Sequence, residues 1–156
     1  MQFQSQRVAL PYIYLAVLLF ALQVIFGLVT AVKYVFDTDP LLNILPFNHS
    51  RAIHMNLLIF WLLFTFMGGT YFLISDESKT ELYSVTLAKI QLAILTLGGV
   101  AAIVGYIMGI SWGMPFLEQP TIIKLGIALA AVIFLFNIFM TMNRAKRCTG
   151  IQGVLM

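Results

Sequence analysis

Arg51 and His54 stand three residues apart at the head of an apolar run, 51–73, that reads RAIHMNLLIFWLLFTFMGGTYFL. An imidazole can ligate a transition metal or hydrogen-bond a neighbour. A planar guanidinium pairs bidentately with carboxylates. Polar groups at membrane depth cost free energy and face a protein interior or a cofactor. On a helix, His54 shares a face with Leu58, Trp61, Thr65 and Gly68, a stripe that narrows to small residues. Such a stripe beneath an imidazole suits a flat, bulky ligand such as a heme. The residues alone leave other readings open: a hydrogen bond from His54 to a neighbouring helix or to water, or a place at headgroup level beside Arg51. Heme iron takes one or two axial protein ligands, and no second histidine lies at membrane depth here. A second histidine would have to come from a partner helix; Met55, Met67, Met108 and Met140 are candidates in principle, although methionine in a membrane helix is far more often packing.

The element that presents these two residues is long enough to cross a bilayer, for which ~20 apolar residues suffice. The chain around it has the same character. Of 156 residues 61% are hydrophobic and 10% charged, whereas a soluble domain carries roughly a quarter charged residues. In lipid the backbone must satisfy its own hydrogen bonds, which leaves helices or closed barrels, and unbroken apolar runs exclude the alternation of a barrel. The fold class is all-α: a multi-pass membrane bundle. The net charge of +3 and pI near 9.2 do not signal nucleic acid, because the basic residues sit at helix ends. Cys148 is the single cysteine, so there is neither an internal disulfide nor metal-ligand spacing.

Four transmembrane helices are expected, at about 11–36, 50–74, 86–109 and 120–142, in one membrane region that covers 1–156. The first starts at Pro11, where a missing N–H is harmless, and is too long for a signal-peptide core. Gln23 and Gly27 mark a packing face on it, and Lys33 snorkels near its far end. The connector over 37–50 holds Pro40, Pro46 and His49, the last an ordinary interfacial loop residue; Asn48-His49-Ser50 is a weak glycosylation match. The acidic stretch 76–81 reads as a solvated turn. Gly105 and Gly109 form a G-x-x-x-G for close helix approach. Trp112 reads as an interfacial anchor, and Asn137 as a hydrogen-bond donor to a neighbouring helix. After the basic cluster Arg144, Lys146 and Arg147, residues 151–156 look like the first turn of a fifth helix in a truncated chain.

With four crossings, Arg7, Lys79, Lys89, Arg144, Lys146 and Arg147 fall on one side, and Lys33, Arg51 and Lys124 on the other. The positive-inside rule then places both ends of the segment in the cytoplasm and His54 near the external face.

The run FNHSRAIHMNLLIFWLLFTFMGGTYFL, followed by ISDESKTELYS, closely resembles the second-helix region of the large, cytochrome b subunit of bacterial nitric oxide reductases. That family belongs to the heme–copper oxidase superfamily. The resemblance extends through QRVALPYIYLAVLLFALQVIFGL, FLEQPTIIKLGI and FLFNIFMTMNR, and so covers nearly the whole chain as the N-terminal four-helix portion of the fold. It implies that His54 is an axial ligand of the low-spin heme b through which electrons enter, with Arg51 near the heme propionates. In the family a high-spin heme and a non-heme iron then reduce two nitric oxide molecules to nitrous oxide and water. The remaining ligands lie on later helices, so this portion alone is not expected to be catalytic. The implied setting is the bacterial inner membrane, with the lipid bilayer, the remaining helices of the same subunit and a membrane-anchored cytochrome c subunit as partners.

Two departures qualify the resemblance. A Gly-Arg-Glu precedes Phe-Leu-Glu in the family, and that glutamate helps bind a calcium ion. Here Met114 and Pro115 stand at those positions before Phe116-Leu117-Glu118. Proline has no side-chain oxygen for a hard cation, so calcium is in doubt, with Glu118 as the substitute carboxylate. No large hydrophilic domain precedes the first helix, which matches the cytochrome c-dependent branch and not the quinol-dependent one. The rival readings are an oxygen reductase or nitric oxide dismutase of the same superfamily, and a non-catalytic membrane assembly or structural protein. A transporter is disfavoured by the lack of an inverted repeat.

Overall fold

The structure, a computed structural model, describes residues 4–36, 45–112, 114 and 116–154, the last helix with side chains through residue 145. Four helices follow one another: α1 (Gln4–Val35), α2 (Phe47–Ser78), α3 (Val85–Ile107) and α4 (Thr121–Val154). All four contain stretches long and apolar enough to cross a membrane, that of α4 within Thr121–Ala145. The molecule is a multi-pass helical bundle, as its composition requires. Helices α1 and α2 pack most extensively and α3 pairs with α4, so two hairpins lie side by side.

The helix limits differ from the expected ones for identifiable reasons. Helix α1 begins at Gln4 and carries Pro11 in its interior. Proline removes one helical hydrogen bond, a loss that neighbouring packing tolerates in membrane helices. The two added turns are held by Glu81, which lies between α2 and α3 and was read as a solvated acid. Its carboxylate accepts hydrogen bonds from the Gln4 amide at 2.7 Å, the Ser5 amide at 3.0 Å and the Ser5 hydroxyl. It therefore satisfies orphan donors that open every helix. His49 stands in the first turn of α2, not in a loop. Helix α4 runs through to Val154, past its expected end near 142 and through the expected start of a fifth helix at 151; 155–156 lie outside the described residues.

Helix α3 is anchored to α4 at its start. Ser84 accepts from the Leu87 amide at 3.2 Å through its hydroxyl. Asn137 accepts from the Ser84 amide at 3.0 Å and donates to the Ser84 carbonyl at 2.9 Å, while the Thr141 hydroxyl accepts from the Tyr83 amide at 2.9 Å. Asn137 thus meets a neighbouring segment, as its burial in a helix demands. The G-x-x-x-G reading of Gly105 and Gly109 fails: α3 ends at Ile107, and Gly109 follows it with a φ of 80°. Within α3 the glycines that do meet another helix are Gly99, against the Phe60 ring, and Gly98, against Ile123.

The core has two clusters. The larger joins Tyr12 and Ala16 of α1, Phe64 and Tyr71 of α2, and Phe134 of α4; the smaller joins Ile53 and Leu57 of α2 with Ala102 and Tyr106 of α3. Outward-facing Leu28, Leu97, Ile122 and Leu135 are exposed, as lipid-facing residues are. Trp112 is exposed as well.

Candidate functional site

Helix α2 presents His54 and Arg51 near its start, one turn apart, and each finds a different neighbour. The half-buried His54 imidazole leans on α1. Its Nδ1 lies 2.8 Å from the backbone carbonyl of Gln23 and 3.4 Å from the Gln23 side-chain amide. A carbonyl oxygen can only accept, so the shorter contact places the proton on Nδ1. Nε2 is then the nitrogen with a lone pair, and among the described residues it makes no hydrogen bond. An imidazole tethered through Nδ1–H to a carbonyl is the arrangement in which histidine ligates metals, since the tether fixes tautomer and ring orientation.

The rest of the stripe also meets α1, which corrects the reading of it as a platform for a flat ligand. Trp61 packs edge-on against Phe20, ring centroids 5.1 Å apart. At Gly68 an added Cβ would stand 2.7 Å from Tyr12 Cβ. His54, Trp61 and Gly68 are spaced seven residues apart, the period that keeps one seam of a helix on its partner. The small end of the stripe admits a tyrosine, not a porphyrin. A groove of about 310 Å³ opens between the two helices, lined by Ile13, Ala16, Val17, Phe20, Trp61 and Thr65. His54 is absent from its lining.

Arg51 reaches the connector that precedes α4. Its Nη2 lies 2.6 Å from Glu118 Oε1; the Arg51 side chain is 41% exposed and that of Glu118 only 5%. One of five guanidinium N–H donors is used in this contact, on a side chain that stays part-exposed. The His49 ring sits against Gly109, with its Nδ1 buried and unpartnered among the described residues. Lys33 does not snorkel outward: its side chain is buried and donates to the Leu45 carbonyl. His54, Arg51 and Glu118 therefore gather at one end of the bundle, but His54 and Arg51 do not touch. Among the described residues no three His, Cys, Asp or Glu side chains form a metal cluster.

A family model described as cytochrome c and quinol oxidase polypeptide I matches residues 7–156. The chain belongs to that family. It is also 44% identical, across its whole length, to a nitric oxide reductase subunit from Stutzerimonas stutzeri. The match spans 35% of that relative's length. The resemblance to the large subunit of nitric oxide reductases is thus borne out over the chain as a whole, and so is membership of the heme–copper oxidase superfamily, a group of membrane-embedded heme enzymes.

Sequence reasoning missed three site features. It paired Arg51 with no protein group, although Glu118 was in view as a carboxylate near the membrane surface. It marked Gln23 and Gly27 as a packing face without naming His54 as what packs there. It gave Glu81 to solvent, although α1 has no acidic residue in its own first turn to meet its amides.

Proposed function

We propose that this chain is the electron-entry portion of a nitric oxide reductase large subunit, and that His54 is an axial ligand of its low-spin heme b. The observation that carries the reading is the Nδ1 contact to the Gln23 carbonyl, which leaves Nε2 as the free lone pair. The residues present fit such a group: one half-buried imidazole of fixed tautomer, at the end of the bundle that also holds a part-exposed guanidinium. The name of the relative supports nitric oxide as the substrate over oxygen.

When bound, the low-spin heme supplies reversible one-electron transfer. The chain's own part is to hold and tune it. His54 offers the iron a neutral nitrogen donor, and the Gln23 carbonyl makes that donor more basic. The free donors of Arg51 suit heme propionates, while Glu118 holds the guanidinium in place. Calcium has no part in this reading, since Pro115 brings no side-chain oxygen and Glu118 already answers Arg51. In the complete subunit, a high-spin heme and a non-heme iron on other helices would reduce two nitric oxide molecules, with two electrons and two protons, to nitrous oxide and water. A membrane-anchored cytochrome c subunit is the electron donor in this reading. The setting is the bacterial inner membrane, with the end that carries Lys79 and Arg144 in the cytoplasm.

The test is His54→Ala in the full-length subunit. Loss of the low-spin heme spectrum, with loss of turnover by the physiological donor, is expected. A retained spectrum with retained activity would overturn the ligand assignment.

A further inference from the structure

Gly27 and Gly68 are the helical glycines at which an added Cβ would strike a neighbour, and only at Gly27 is that neighbour His54. A Cβ built there would lie 2.8 Å from His54 Cε1 and 3.0 Å from Nδ1, closer than a side-chain carbon can sit. At Gly69, by contrast, an added Cβ meets nothing within 4 Å, and at Gly98 the nearest atom is at 3.7 Å. The position has a second consequence along its own helix. A Cα–Cβ bond on a helix tilts toward the N-terminus and covers the preceding turn. A side chain at 27 would therefore screen the carbonyl of residue 23, the very oxygen that His54 Nδ1 reaches. With no Cβ, that carbonyl keeps its bond in the helix and still has a lone pair open to the side.

From this we infer that Gly27 and the Gln23 carbonyl together form a seat that sets the ring plane and tautomer of His54. Both are positioning elements: neither touches a ligand, and both act through the imidazole. The inference rests on the reading of His54 as a heme ligand and adds the chain positions that aim it. Any side chain at 27 pushes the ring off the carbonyl, frees it to rotate and lets the proton move to the other nitrogen.

The test compares Gly27→Ala with Gly69→Ala in the full-length subunit, each alone and with His54→Ala. Low-spin heme content per polypeptide, its reduction midpoint and the thermal midpoint of the purified protein are read. Loss of a group that orients a ligating histidine typically weakens metal binding ~10–100-fold, so Gly27→Ala should lose low-spin heme or shift its midpoint. Gly69→Ala should do neither. The thermal cost of Gly27→Ala should also shrink when His54 is alanine, because the methyl then has no ring to strike. Should Gly27→Ala fail to assemble, the double variant should recover assembly. Unchanged heme content and midpoint in Gly27→Ala, in a protein where His54→Ala bleaches the spectrum, overturns the seat alone. A spectrum that survives His54→Ala overturns the heme reading and the seat's role together, and an equal thermal cost in both backgrounds refutes the contact.

Discussion

The Ser5 amide, in the first turn of α1, donates to the Glu81 carboxylate at 3.0 Å across 76 positions of sequence. A helix start without its own acid is thus closed by a residue from a distant connector. Burial pushes the Glu81 carboxyl up, but the Ser5 hydroxyl and the Gln4 and Ser5 amides outweigh it and hold the group below its ordinary value of 4.5.

Glu81→Gln should therefore lower the thermal midpoint of the detergent-solubilised protein. The loss is of capping size, about 0.5–1 kcal/mol given the solvent near the site. The pH dependence has a definite sign. A carboxylate whose folded value is depressed contributes fully above its unfolded value and loses that contribution as pH falls through the folded one. The gap between wild type and Glu81→Gln should thus be constant from neutrality down to about pH 5 and close in more acidic buffer. A gap that stays open in acid, or one that first opens there, contradicts the cap.

Arg51→Ala should leave low-spin heme content intact and lower the heme's reduction midpoint. Removing a nearby positive charge favours the ferric, more positive iron. It also strands the buried Glu118 carboxylate, at a stability cost of about 1–2 kcal/mol, less than for a wholly buried pair because Arg51 is part-exposed. Redox titration and thermal melts check both parts. An unmoved midpoint would reduce Arg51 to a partner of Glu118.

Asn137→Ala should destabilise the α3–α4 hairpin by about 1–3 kcal/mol, because the Ser84 amide and carbonyl each lose a partner. The heme spectrum should be unaffected, since this contact lies at the end opposite His54. Hydrogen exchange at the start of α3 is the local readout; protection equal to wild type there removes Asn137 from the account.

Gly68→Ala should cost about 1–3 kcal/mol by overpacking against Tyr12. It should spare low-spin heme, in contrast to Gly27→Ala. Two glycines on one helix pair would then differ in what they protect, one a packing contact and the other the aim of a ligand.

The helices themselves were legible, because twenty-residue apolar runs have few alternatives in lipid. Much of the site was legible as residue types: Arg51 and His54 break an apolar run, and Gln23 and Gly27 interrupt another. Their pairing was not. Which turn of α1 faces His54 depends on how far one helix is shifted along its neighbour, and no local propensity records that shift. The stripe below His54 was misread for the same reason, since a row of alternating bulk and smallness serves a helix partner as well as a ligand. Glu81 was lost because charge in a turn signals water, unless one knows which helix end arrives beside it. Gly109 was taken for the last residue of a helix because helix limits blur by a turn, and its left-handed backbone shows only in three dimensions.

The clasp between Ser5 and Glu81 imposes an order on how this protein is made. When the ribosome releases α1 into the bilayer, the carboxylate that will finish its first turn has yet to be synthesised. The nascent segment must wait, its leading amides hydrated, until a second hydrophobic stretch has been threaded and the connector behind it has been made. Only then can the opening residues dock, so biogenesis locks this end of the molecule late.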